Sequence, residues 1–184
     1  MSTKYKFTDK EAVYFVTATV IDWVDVFTRI TYKDILMESL RFCQKNQGLQ
    51  IHSWVIMPNH LHMICSFINE REPGLVIKNI KSFTAIKIID AIINNTHESR
   101  RWMLDIFEKN GKANKSNYRF QFWQHENHPI LFDTPEKYNQ RMNYLHENPV
   151  RAGFVYEPQN WLYSSGVDYY TISQKGLLDL AFLN

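Results

Sequence analysis

The chain reads as an α+β protein of the ferredoxin-like, split βαβ type. That is an α/β sandwich with an antiparallel sheet, here followed by a separate tyrosine-bearing helix and a C-terminal tail. Three observations predict it. Short β-branched and aromatic runs alternate with longer segments of helical hydrophobic spacing. Their order is strand, helix, strand, strand, helix, strand, helix. A Pro58-Asn59 turn joins the second and third strands as a hairpin.

Tyr14 to Val20 is the first strand, rich in residues that suit a pleated surface. Thr31 is placed to cap a helix carrying Ile35, Leu36, Leu40 and Cys43 on one face, and Gly48 to end it. His52 to Met57 and His60 to Phe67 are the hairpin strands. Pro73 to Asn95 is a long helix with Val76, Ile80, Phe83, Ile86, Ile89 and Ile93 at helical spacing. A short helical piece, Trp102 to Phe107, leads into a polar, basic loop from Asn110 to Lys115. Arg119 to Trp123 is expected as the fourth strand. Thr134 caps the last helix, with Pro135 in its first position and Tyr138, Met142 and Leu145 as its buried stripe. Pro149 is expected to stop it at Asn148. Trp123 and Tyr163 are expected in the core. The apolar segment Leu177 to Leu183 must dock on this chain's own core or on a partner.

Composition narrows the class further. A chain of 184 residues, 45% hydrophobic and 15% aromatic, can bury a full core, which excludes a disordered polymer. With two cysteines, Cys43 and Cys65, it is not a disulfide scaffold. No apolar run approaches the roughly 18 residues of a membrane span. The segment Met1 to Phe7 has no apolar signal core, so a cytoplasmic protein with reduced thiols and no membrane partner is expected. No repeat or linker interrupts the sequence. One domain over 1–184 is expected, with a core of about 12–170 and a tail of 171–184.

Charge is uneven. Residues 1–77 are neutral overall, 78–120 carry net +5 and 121–184 carry net −3. The basic middle (Lys78, Lys81, Arg100, Arg101, Lys112, Lys115, Arg119) attracts polyanions, of which nucleic acid is the commonest. The same run also suits a solvated surface.

Two clusters carry chemistry. Residues two apart in a strand share a face, so His60 and His62 project together, about 6.6 Å apart at the backbone. Leu61, Met63, Cys65 and Phe67 take the other face. Two imidazoles so placed can converge on one cation, or simply face solvent. The Met57-Pro58-Asn59 turn adds shape but no chemistry of its own. On the last helix, Tyr144 has Arg141 one turn before it and Asn148 one turn after. A tyrosine hydroxyl, with an ordinary pKa of about 10, attacks only where cations or a bound phosphate help it ionise. Asn148 offers a neutral oxygen beside two histidines; His146, about 200° round the helix from Tyr144, does not.

Together these pieces resemble a known family. Met57-Pro58-Asn59-His60-Leu61-His62 resembles the HUH (His-hydrophobic-His) motif of single-tyrosine HUH transposases of the insertion-sequence type. Tyr144-Leu145-His146-Glu147-Asn148-Pro149-Val150-Arg151-Ala152-Gly153 is similar to the tyrosine-helix end of the REP-associated tyrosine transposase branch. Phe122-Trp123-Gln124 and Trp161-Leu162-Tyr163-Ser164-Ser165 match that branch as well, in the same order, over roughly residues 12–170.

The resemblance implies a metal-dependent single-stranded DNA endonuclease and strand transferase acting at hairpin-flanked sites. It assigns Tyr144 as the nucleophile that forms a 5′-phosphotyrosine. It assigns His60 and His62 as ligands of Mg²⁺ or Mn²⁺, with Asn148 at the position of the third ligand. Asparagine is one methylene shorter than the glutamine many insertion-sequence members carry there. The DNA surface is then Lys78, Lys81, Ser82, Arg100, Arg101, Lys112, Lys115, Arg119, Arg141 and Arg151, with hairpin or single-stranded DNA as partner. Monomer and homodimer, and a mobile element or a domesticated hairpin-binding protein, all remain compatible with it. A His-based metalloprotein that does not act on DNA needs a water-activating carboxylate, for which only Glu70 and Glu72 lie near the histidines.

Overall fold

The computed structural model describes residues 7–68, 71–113, 119–125 and 129–182. Glu70, Lys115 and Leu183 lie outside them. The strands are β1 (Tyr14–Thr19), β2 (Leu49–Met57), β3 (His60–Phe67) and β4 (Ile130–Leu131). The helices are α1 (Ile30–Asn46), α2 (Pro73–Asn94), α3 (Trp102–Ala113), α4 (Pro135–Arg151) and α5 (Gly166–Tyr170). Sheet order is β2-β3-β1-β4 with antiparallel pairing throughout, the predicted split βαβ arrangement.

Alternation along the strands builds two unlike faces. Leu61, Met63, Cys65 and Phe67 of β3 and Tyr14, Val16 and Ala18 of β1 join Leu36, Leu40, Ile80, Ile88 and Phe107 in the main core. Phe15, Val55, Met57 and Ile64 form a smaller cluster on the opposite face, closed by Leu145 of α4. In β2 the register shifts between Ile51 and Ser53, which leaves His52 outside the ladder. Its ring meets the Ser66 hydroxyl at 2.8 Å and the Ala181 carbonyl.

The outer edge of β2 is sealed by the chain's own C-terminal part. Ile56 N–H donates to Tyr163 O at 2.9 Å, Ser165 N–H to Trp54 O at 2.9 Å and Ala181 N–H to Ile51 O at 2.8 Å. Leu178 is buried and Arg41 donates to Leu177 O. The tail therefore docks on this chain, and the edge that could template pairing is covered.

Five sequence expectations need correction. Arg119 to Trp123 is not a strand. A single bridge joins Trp123 to Val20, because neighbouring Phe122 and Trp123 both turn into the core and break the period of two. The fourth strand is Ile130–Leu131. The helix expected to end at Phe107 continues to Ala113. Gly111 permits this: a Cβ there would meet Arg119 O at 2.6 Å.

α1 starts at Ile30 with Arg29 at its N-cap, and Arg29 reaches Glu98 instead of capping. On α2, Phe83, Ile86 and Ile93 are exposed, while Ile77, Thr84, Ile88 and Ile92 are buried. Thr84 tolerates burial because its hydroxyl donates to Ile80 O at 2.7 Å and accepts from Trp123 Nε1 at 3.0 Å.

α4 runs through Pro149 to Arg151. Its stop is Gly153, with φ +74°, where Gly153 N–H donates to Val150 O and Phe154 N–H to Pro149 O, both at 2.9 Å. Proline removes one donor from the helix, but the glycine turn ends it. Among the described residues no helix is long and apolar enough to cross a membrane.

Candidate active site

β3 and α4 bring the two sequence clusters together. The His60 and His62 ring centroids are 4.6 Å apart, and the Tyr144 ring lies 5.6 Å from that of His62. Leu145 and His146 hold α4 down. His146 is fully buried, with Nε2 3.0 Å from Ser53 Oγ of β2 and 2.8 Å from Ser165 Oγ. It serves the helix–sheet joint, in keeping with its angular position on the helix.

The His60 tautomer follows from its partner. Asn59 Nδ2 donates to Asp25 Oδ1 at 2.8 Å and to Trp23 O at 3.3 Å. Its Oδ1 is thereby turned to His60 Nδ1, 2.7 Å away, and accepts a hydrogen bond from Nδ1–H. The turn asparagine, read from sequence as shape alone, sets the chemistry of His60. Thr17 orients His62: its hydroxyl is 2.8 Å from His62 Nδ1, and β1 register places the two residues opposite each other. With each Nδ1 engaged, Nε2 is the ring nitrogen that could take a metal, and a metal histidine usually has its other nitrogen hydrogen-bonded in this way.

Burial keeps both rings neutral. It pushes the His60 ring down to about 4 and the His62 ring to about 3, with positive charge on His60 and Arg141 adding to the effect on His62. Neutral imidazole is the form that binds a metal.

One face of α4 completes the site. Arg141, Tyr144, Asn148 and Arg151 follow one another at helical spacing. The Arg141 guanidinium lies 6.0 Å from the Tyr144 ring and 5.4 Å from Phe15, and that of Arg151 lies 5.8 Å from Tyr144. The extra turn beyond Pro149 is what brings Arg151 there. Asn148 Nδ2 is buried with no hydrogen-bond partner. Among the described residues no three His, Cys, Asp or Glu side chains gather to hold a metal. Two imidazoles, with the Asn148 amide on the same α4 face as Tyr144 as a third candidate through its Oδ1, could hold a divalent ion that takes its remaining ligands from phosphate oxygens.

The basic residues expected to face DNA fall into two groups. Arg141 and Arg151 flank Tyr144. The other described ones belong to the α2 and α3 side, across the sheet from the histidines. Lys78 and Ser82 are exposed on α2. Lys81 donates to Gln124 O at 2.6 Å, and burial lowers it to about 8. Arg100 joins Arg29 and Tyr32 on the buried Glu98 carboxylate and donates to Asp25 O. Arg101 donates to Ile93 O, and Lys112 and Arg119 pair with Glu108. Lys115 lies outside the described residues. Glu72 pairs with Lys10 at the start of α2.

A ferredoxin-like sheet carrying a histidine pair on one strand, with a tyrosine helix laid across it, is the single-tyrosine HUH arrangement. The chain matches the family model described as "Transposase IS200 like" over residues 14–109, just over half its length, and it belongs to that family. The fold is similar to that of a solved REP-associated tyrosine transposase bound to a REP hairpin. The TM-score is 0.65 at 17% identity, covering 98% of this chain and 96% of the other. No curated protein is significantly similar.

Proposed function

We propose that the protein is a divalent-metal-dependent endonuclease and strand transferase on single-stranded DNA beside a hairpin, of the REP-associated branch. The observation that carries the reading is the meeting of Tyr144 with the His60/His62 pair across two separate elements. Mg²⁺ or Mn²⁺, held by His60 and His62 with Asn148 as third ligand, would polarise the scissile phosphate.

The rest is the work of the chain's own residues. α4 presents the Tyr144 oxygen to phosphorus. The new bond is Tyr144 O–P, and the bond that breaks joins phosphorus to the 3′-oxygen. The products are a 5′-phosphotyrosine and a 3′-hydroxyl, which takes up the proton that the phenol gives up. One phosphoester replaces another, so reversal by a second 3′-hydroxyl rejoins DNA. Arg141 and Arg151 stabilise the charge on the phosphate under attack. The partner is hairpin DNA, the kind of molecule bound in the structurally similar transposase.

The test is a denaturing gel of protein with labelled hairpin DNA from its own genomic flanks, with Mn²⁺ or with chelator. A metal-dependent covalent band that vanishes in Tyr144→Phe is expected. Binding without a band would leave a hairpin-binding protein, and the absence of both binding and band would overturn the reading.

A further inference from the structure

A row of four rings crosses the site. Trp23, His60, His62 and Tyr144 follow one another with centroids 5.9, 4.6 and 5.6 Å apart. Trp23 alone has no role so far. Its side chain is not there for packing, since the residue is 59% exposed.

Its backbone is unusual as well. Asp22 and Trp23 have φ of 50° and 55° and are the only non-glycine residues of positive φ among those described. Aspartate visits that region; a bulky indole seldom does. The conformation is held from several sides. Trp23 N–H donates to Val20 O at 3.1 Å, Asn59 Nδ2 to Trp23 O at 3.3 Å, and Asn110 Nδ2 to Asp22 Oδ2 at 2.9 Å. Asn59 is the residue that also sets His60. A strained turn fixed by its surroundings, presenting an exposed aromatic beside the reacting groups, marks a functional contact.

We propose that Trp23 is the stacking platform for the unpaired base on the 5′ side of the scissile phosphate. The inference rests on the strand-transfer reading above. In-line attack puts the entering and leaving oxygens on opposite sides of phosphorus. Tyr144 stands at one end of the ring row and Trp23 at the other, with the histidine pair between them. A phosphate over that pair, attacked from the Tyr144 end, turns its leaving 3′-oxygen, and the nucleotide that carries it, towards Trp23. An indole face accepts any base, and one such stack strengthens binding roughly tenfold to a hundredfold. Trp23 is thus a positioning residue for the leaving strand.

The probe is a hairpin oligonucleotide with a single-stranded flank, carrying 2-aminopurine at each flank position in turn. It is mixed in chelator with the full-length protein, Trp23→Ala or Trp23→Phe. Quenching at one position is expected with the unaltered protein. Trp23→Ala should lose it with about tenfold weaker binding, and Trp23→Phe should partly restore it. In Mn²⁺ the Tyr144 adduct should form just 3′ of that position.

Quenching that persists in Trp23→Ala, or no quenching at all, overturns the platform. Quenching on the 3′ side of the cut overturns the assignment of strand. An adduct with Trp23-independent quenching leaves strand transfer standing and removes Trp23 from it. Trp23-dependent quenching without any adduct keeps the base platform, while strand transfer and the 5′ assignment fall. Thermal melting separates a structural role: Trp23→Gly should melt no lower than the unaltered protein, because positive φ suits glycine. A large drop would make Trp23 a fold residue and overturn the proposal.

Discussion

The face of the sheet under α1 and α2 is closed by hydrocarbon, whereas the face under α4 adds directional hydrogen bonds to a smaller apolar cluster. Both are built from the same strand. Leu61, Met63 and Cys65 of β3 go one way, and His60 and His62 go the other. On the first face contact is non-directional, so many side chains of the right volume would serve. On the second, His60 is set by Asn59, His62 by Thr17 and α4 by the His146–Ser53–Ser165 cluster. Each of those contacts fixes an angle as well as a distance. The pairing of a tolerant face with an exacting one, back to back, teaches how a thin sheet can be stable and still hold rings in register.

Substitutions on the two faces should therefore fail in different ways. The largest effect expected is from Tyr144→Phe. It removes one hydroxyl, should abolish covalent adducts outright and should leave hairpin binding nearly intact. Persistence of adducts would move the nucleophile elsewhere, with Tyr138 on the same helix the first to substitute. His62→Ala against Leu61→Ala is the sharper contrast, because the residues are adjacent. The first should abolish metal-dependent cleavage in a folded protein. The second should lower unfolding free energy by about 2–5 kcal/mol and leave the chemistry of the folded fraction in place. Matching defects in both, by melting and by gel, would break the distinction between the faces.

Asn148 comes next. If its amide completes the donor set, Asn148→Ala should raise the Mn²⁺ concentration needed for half-maximal cleavage by about tenfold, and Asn148→Gln should recover part of it. A Mn²⁺ titration unmoved by Ala would remove Asn148 from the site.

A smaller effect concerns the edge of the hydrocarbon face. Burial works to raise the Glu98 carboxyl, but hydrogen bonds from Arg100, Tyr32 and Arg29 overcome it and hold it at about 2 instead of 4.5. A depressed folded value means stability that is fully present above pH 4.5 and lost as pH falls through 2. Glu98→Gln should remove about 2 kcal/mol at neutral pH and flatten that acid limb of the melting curve. The smallest effect is expected from Lys78→Ala, exposed across the sheet from the histidines. It should reduce the slope of log affinity against log salt by about one if hairpin DNA reaches that face. An unchanged slope would confine DNA to the α4 side.

Much of this is legible in the chain itself. Periodicity marks the four longer helices and three of the four strands, and the His-Leu-His spacing alone puts two imidazoles on one face. Those signals are local, so one sequence carries them. Two readings fail where a local rule meets a packing opportunity. Pro149 does not end its helix, because the Gly153 turn four residues on does, and Asn110 to Ala113 are helical because Gly111 lets the chain behind them come close.

Tertiary contacts settle the company each functional residue keeps. Thr17 is 45 residues from His62, and Trp23 is 37 from His60. Nothing in the spacing links them, since strand register and a left-handed turn bring them together. Fold class, the histidine pair and the tyrosine helix need only the order of residues, because each is written in side-chain period and type over a few turns or a strand. Ring tautomers, the flanking arginines and the ring row depend on distances between elements far apart in the chain. Those distances exist only once the sheet has closed on both its faces.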